Sequence, residues 1–207
     1  ASAPRIPRMV EPDAKVPGRD LALTPGTVVF RNPVLELIQY APQTDTVHST
    51  PLLVVPPTIN KYYVVDLAPG RSLVEHLVGS GQQVFSISWR NPRREDAGWG
   101  LDAYAVAVVE ALDAVEEITG SPRTTLLALC SGGILTAMLA AHLAATGGQD
   151  RIAGLSLLVT VLDQDQAGTT GALMDEGSAR AATQRSARQG YLDGASLAEV
   201  FAWLRPR

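Results

Sequence analysis

Short apolar runs bounded by prolines and glycines alternate along this chain with longer segments whose apolar residues recur every three or four positions. GTVVFRN (26–32) and LELIQYAP (35–42) come first and read as short β-rich segments, punctuated by Pro25, Gly26 and Pro33. PLLVVPP (51–57) is apolar throughout, the profile of a strand buried on both faces. RSLVEHLVGSG (71–81) places Leu73, Val74, Leu77 and Val78 at helical spacing and ends in glycine. QVFSISW (83–89) reads as a strand, and LDAYAVAVVEALDAVEEI (101–118) carries the strongest helical pattern before TGSP stops it. TTLLAL (124–129) is a strand, GILTAMLAAHLAA (133–145) a helix ended by Gly147 and Gly148, and IAGLSLLVTVLD (152–163) a further apolar strand.

Strands and helices alternating at this pitch predict an α/β domain, a mainly parallel sheet with helices on both faces. Residues 1–20 read as an irregular arm and 21–164 as the core. Residues 165–207 contain no strand-like run and pattern as helices around 172–189 and 195–204, with Phe201, Trp203 and Leu204 as packing residues.

Composition narrows the function. A chain of 207 residues with 46% hydrophobic and 18% charged positions can fill a core. A net charge of −4 gives no footprint for nucleic acid. Arg90, Arg93, Arg94, Arg180, Arg185 and Arg188 are interspersed with acids and read as solvated surface. The single cysteine excludes an intrachain disulfide and a cysteine-rich zinc site, and it suits a reducing compartment. No apolar run reaches the roughly 18–20 residues of a membrane helix. ASAPRIPRMVEPDAKVPG at the start has no signal-peptide core, so the expected location is the cytoplasm.

That single cysteine, Cys130, carries the candidate chemistry. Ala128-Leu129-Cys130-Ser131-Gly132, followed by Gly133, joins a strand to a helix as small-x-nucleophile-x-Gly. This is the pattern of a nucleophile elbow, whose tight turn needs small neighbours so that strand and helix can approach. Ala128 stands where a glycine is usual. At the amino end of the 133–145 helix an anion is favoured, and the Ser131 N–H would be one oxyanion donor. Against this stands the inert buried cysteine, the common fate of a free thiol. A phosphate loop is a poorer fit, lacking the GxxxxGK[ST] lysine and the GxGxxG spacing. Ser131 as nucleophile falls out of register. A cysteine suits transfer from a thioester, because the acyl-enzyme remains an activated thioester that can pass its group to an alcohol.

TPGTVVFRNPVLELIQYAP, PPTINKYYVVDL, FSISWRNP, the CSGG elbow, LLVTVLD, RQGYLDG and FAWLRP occur in an order that resembles the polyhydroxyalkanoate synthases, over about residues 18–206. GWGLDAY, RQGYLDG and FAWLRP are most similar to the class that polymerises medium-chain units. The resemblance implies a cysteine triad on an α/β-hydrolase-type core under a helical cap. It also implies polymerisation of (R)-3-hydroxyacyl groups from coenzyme A thioesters, with Cys130 as nucleophile. The VPPTIN loop would supply the second oxyanion donor from the backbone of Thr58 or Ile59, and Asp66 would have a supporting role.

Implied partners are hydroxyacyl-CoA, the polyester chain and its granule, and a second subunit; no cofactor or metal is expected. The family pattern puts the triad acid and histidine beyond Arg207. Asp163 is then structural, and His48, His76 and His142 are not the base. The chain is expected to be the nucleophile half of such an enzyme, ending in the cap region and not a competent polymerase alone. A cysteine-elbow thioesterase or acyltransferase and a non-catalytic granule-associated relative are the competing readings.

Overall fold

A computed structural model of the chain describes residues 15–163, 165, 176–194 and 197–198. Six strands form one sheet: β1 (Gly26–Arg31), β2 (Leu35–Tyr40), β3 (Leu52–Val55), β4 (Val84–Trp89), β5 (Thr124–Leu129) and β6 (Ile152–Leu158). Their order is β1-β2-β4-β3-β5-β6. β1 and β2 are antiparallel, as are β2 and β4, while β4, β3, β5 and β6 run parallel. Helices α1 (Leu73–Gly79), α2 (Leu101–Thr119) and α3 (Ser131–Thr146) make the parallel crossovers, and α4 (Glu176–Gln189) follows β6.

Local chemistry explains the joints. The side chain of Asn32 accepts hydrogen bonds from the Val34 and Leu35 amides at 2.9 and 2.8 Å, which closes the β1–β2 hairpin around Pro33. Ser72 caps α1 by accepting the Glu75 amide at 2.9 Å.

The period-2 alternation of the strands divides the core between two faces. Leu53, Val55, Phe85, Ile87, Leu126 and Ala128 point to one side, where Val108, Ala111, Leu112 and Val115 of α2 meet Leu135, Leu139 and Leu143 of α3. Leu52, Val54, Val84 and Leu127 point to the other, against Val74 and Val78 of α1. The fully buried run expected at β3 is there, all four residues being buried. Helices thus cover both faces, and the parallel strands end together along one edge of the sheet.

Two boundaries differ from expectation. The apolar run 152–163 is strand only as far as Leu158, because Val159 adopts φ +46° and turns the chain out of the ladder. α3 begins at Ser131, before the first residue of the periodic pattern, because the turn at Cys130 starts the helix itself. The helix expected at 172–189 is described over Glu176–Gln189. Phe201, Trp203 and Leu204 lie outside the described residues.

Tyr40, at the end of β2, is buried, and its hydroxyl has no hydrogen-bond partner among the described residues. Burial, and secondarily the Asp66 charge, pushes its phenol well above the ordinary value of 10.0. A group whose folded pKa is raised contributes stability that is complete below the unfolded value and is lost as pH rises past it. Tyr40→Phe should therefore match or exceed the wild type by up to about 1 kcal/mol at neutral pH, since it removes an unpaired buried hydroxyl. It should also lose less stability above pH 10 than the wild type, as read by urea denaturation at several pH values.

Candidate active site

The edge where β3, β4, β5 and β6 end is where the elbow forms. β5 is anchored by the buried Leu126 and Ala128, so the chain leaves the sheet at a fixed point. Cys130 then takes φ +52° and ψ −121°, a left-side conformation uncommon for any residue with a Cβ. Such a backbone costs on the order of 1–3 kcal/mol and persists only where its surroundings hold it. Here the Cys130 amide donates to the Leu158 carbonyl at 3.0 Å, and the Cys130 carbonyl accepts the Ile134 amide at 3.1 Å. The thiol side chain is half-buried.

The two glycines after it are required by space. A Cβ on Gly132 would lie 2.6 Å from the Val55 carbonyl oxygen and closer still to that of Pro56. A Cβ on Gly133 would collide with the Thr160 side chain. Ala128, where a glycine is usual, carries its methyl into the α2–α3 core without exposure.

The loop after β3 lies against this turn. Trp89, at the end of β4, donates its indole N–H to the Pro56 carbonyl at 2.9 Å. The Thr58 amide donates to Ser131 Oγ at 3.0 Å, and Thr58 Oγ1 lies 3.0 Å from the same oxygen. Of the two amides expected to receive an oxyanion, Thr58's is thus engaged, whereas Ile59's has no partner among the described residues. The Ser131 amide, in the first turn of α3, is likewise without a partner among them.

Trp89 was not among the residues singled out from the sequence; its signal was the SWRNP motif. Its ring packs edge-on to Tyr104 at 5.6 Å, Tyr104 contacts Trp99, and the Arg90 guanidinium sits 4.6 Å from the Trp99 ring. Arg90 is held in turn by Asp96 at 2.7 Å. Only Trp89 of this cluster is bonded to the loop after β3; Arg90 reaches the β1–β2 hairpin, donating to the Pro33 carbonyl at 2.5 Å.

Other candidates lie elsewhere. Asp66 is buried, and its carboxylate accepts hydrogen bonds from the Thr24 amide and hydroxyl at 3.2 and 2.8 Å. Its carbonyl accepts the Ala22 amide, so Asp66 fastens the segment before β1 to the loop after β3. His48 is exposed at the amino ends of β3 and β4, the opposite edge of the sheet from Cys130. His76 is exposed on α1, across the sheet from α3. His142 is exposed twelve residues down α3, about 18 Å from the elbow at 1.5 Å per residue. Asp163 is exposed beyond β6, its carboxylate accepting the Asp165 amide at 3.1 Å. No cluster of three or more metal-ligating side chains occurs among the described residues.

Residues 51–205 match the family profile of the alpha/beta hydrolase fold. The chain belongs to the α/β-hydrolase fold family. Residues 4–77 match the profile of the amino-terminal region of poly-β-hydroxybutyrate polymerase. Among curated relatives, poly(3-hydroxyalkanoate) polymerase 1 of Ectopseudomonas oleovorans is 48% identical over 201 residues, covering 97% of this chain and 36% of that protein. The polymerase subunit PhaC of Cupriavidus necator is 43% identical over 195 residues, covering 91% and 33%. The chain thus spans about a third of the length of these relatives. Among solved α/β structures, a proline iminopeptidase-related protein of Thermus thermophilus is similar with TM-score 0.43 and 14% identity, over 74% of this chain and 57% of that one.

The packing of the elbow predicts a contrast between two glycines. Gly132→Ala should destabilise the fold by about 1–3 kcal/mol, the usual cost of overpacking. Gly98→Ala, where an added Cβ meets nothing within 4 Å, should change stability by less than about 0.5 kcal/mol. Paired thermal or urea melts measure the difference.

Proposed function

We propose that this chain carries the nucleophilic centre of a polyhydroxyalkanoate synthase and accepts (R)-3-hydroxyacyl groups from coenzyme A thioesters on Cys130. The observation that carries the reading is the backbone of Cys130, held at φ +52° between a buried strand and a helix, with two amides at the same turn and loop that have no partner among the described residues. The similarity to poly(3-hydroxyalkanoate) polymerases supports the choice of acyl group and acceptor.

In the proposed step the Cys130 thiolate attacks the thioester carbonyl, and the carbonyl electron pair moves onto oxygen. The Ser131 amide and an amide of the 56–60 loop stabilise that oxyanion. Collapse expels the coenzyme A thiolate, which takes up the proton that Cys130 gave up. The group now on Cys130 is still a thioester, so its transfer to the hydroxyl of another 3-hydroxyacyl unit forms an oxoester and lengthens the polymer. The attacking hydroxyl needs a base, and none of His48, His76 and His142 stands at the elbow. Acylation is therefore the half-reaction that the described residues support by themselves.

The same reading takes the growing polyester and its granule as partners, a homodimer as the assembly, and residues 165–207 as the start of a cap. No helix among the described residues is long and apolar enough to cross a membrane.

Incubating the purified chain with (R)-3-hydroxyacyl-CoA at a pH that populates thiolate, followed by mass spectrometry, tests the proposal. One acyl mass on the peptide containing Cys130, one equivalent of coenzyme A released, and no adduct in Cys130→Ala are expected. Acylation at any other residue, or none, would rule it out.

A further inference from the structure

Ser131 has two separable parts. Its amide belongs to the oxyanion site just described, while its hydroxyl, which that role does not use, reaches to the loop after β3. Ser131 Oγ accepts the Thr58 N–H at 3.0 Å and shares a second hydrogen bond with Thr58 Oγ1 at 3.0 Å, between residues 73 positions apart in sequence. Other contacts fix the loop on either side: Trp89 holds the Pro56 carbonyl, Gly132 packs against Val55 and Pro56, the Asn60 amide donates to the Pro57 carbonyl at 3.2 Å, and Lys61 Nζ donates to Asn91 Oδ1 at 3.3 Å. The next amide, that of Ile59, has no partner among the described residues. The hydroxyl contact is therefore the side-chain tether closest to that amide.

We propose that the Ser131 side chain is a positioning residue: by tying Thr58 to the elbow it sets the separation between the Ser131 and Ile59 amides that receive the oxyanion. The inference rests on the acyl-transfer reading of Cys130. It assigns Ile59 as the second donor, because the Thr58 amide is spent on the tether. Thr58 Oγ1 is the second strand of the same tether.

Two reactions of the same thiolate separate positioning from mere folding. Acylation by (R)-3-hydroxyacyl-CoA forms the Sγ–acyl bond, expels the coenzyme A thiolate and passes through an oxyanion. Alkylation by iodoacetamide forms an Sγ–carbon bond at a saturated carbon and expels iodide, with no oxyanion at the reacting centre. Ser131→Ala should slow acylation about three- to tenfold, the worth of one hydrogen bond, and leave alkylation within about twofold of wild type. Ser131→Thr, which keeps the hydroxyl, should restore most of the acylation rate, and Thr58→Val should fall between.

An unchanged ratio of acylation to alkylation in Ser131→Ala overturns the proposal, and a raised ratio does so as well, since the contact would then close the site. If Ser131→Ala does not fold by circular dichroism, Thr58→Val carries the test, and a ratio equal to wild type overturns the proposal. A wild-type chain that iodoacetamide alkylates but the thioester does not acylate overturns the acyl-transfer reading itself, and the tether with it. That outcome is distinct from a wild type that acylates with variants that do not differ.

Discussion

Everything at the candidate site depends on the turn that takes the chain from β5 into α3 with Cys130 at a positive φ. An ordinary helix start would not need this conformation, and a residue with a Cβ resists it. It is held because β5 is buried on its core faces, the Leu158 carbonyl takes the Cys130 amide, and α3 accepts the chain within one residue. The cost is met by packing, and the packing demands absent side chains. Gly132 lets the end of β3 approach to van der Waals limits, and Gly133 does the same for the chain after β6. The strained cysteine and its two glycines form one device.

That device sits where the sheet can use it. The four parallel strands end along the same edge, so the β3 loop, Trp89 and the elbow converge without long connections. The two cores fix the strands from both sides: α2 and α3 clamp the face of Leu53, Phe85 and Leu126, and α1 clamps the face of Leu52, Val54 and Val84. On the proposed reading, a rigid frame of this kind would allow hydrogen bonds of ordinary strength to place two amides for one oxygen. Asp66, though buried, serves the frame: it joins the segment before β1 to the loop after β3.

The fold was legible where periodicity was strong. The alternation of β3, β4 and β5 with α1 and α2 follows from apolar spacing alone, because those elements owe their form to burial. The elbow was legible from five residues, since a turn so tight permits few side chains. Boundaries set by single backbone torsions were not legible: nothing in LLVTVLD announces that Val159 leaves the strand. The tether from Ser131 to Thr58 was not legible either, being a contact between two hydroxyl side chains that only the parallel pairing of β3 with β5 brings together. Trp89 could be found only as part of a motif, because its indole partner is a backbone carbonyl that no sequence pattern marks.

A crystal structure of the chain with a 3-hydroxyacyl group on Cys130 tests this account most directly. Cys130 should keep its positive φ, and the thioester carbonyl oxygen should lie about 2.7–3.1 Å from the amides of Ser131 and Ile59. A Cys130 backbone relaxed to negative φ, or a carbonyl oxygen turned to solvent away from both amides, would contradict it.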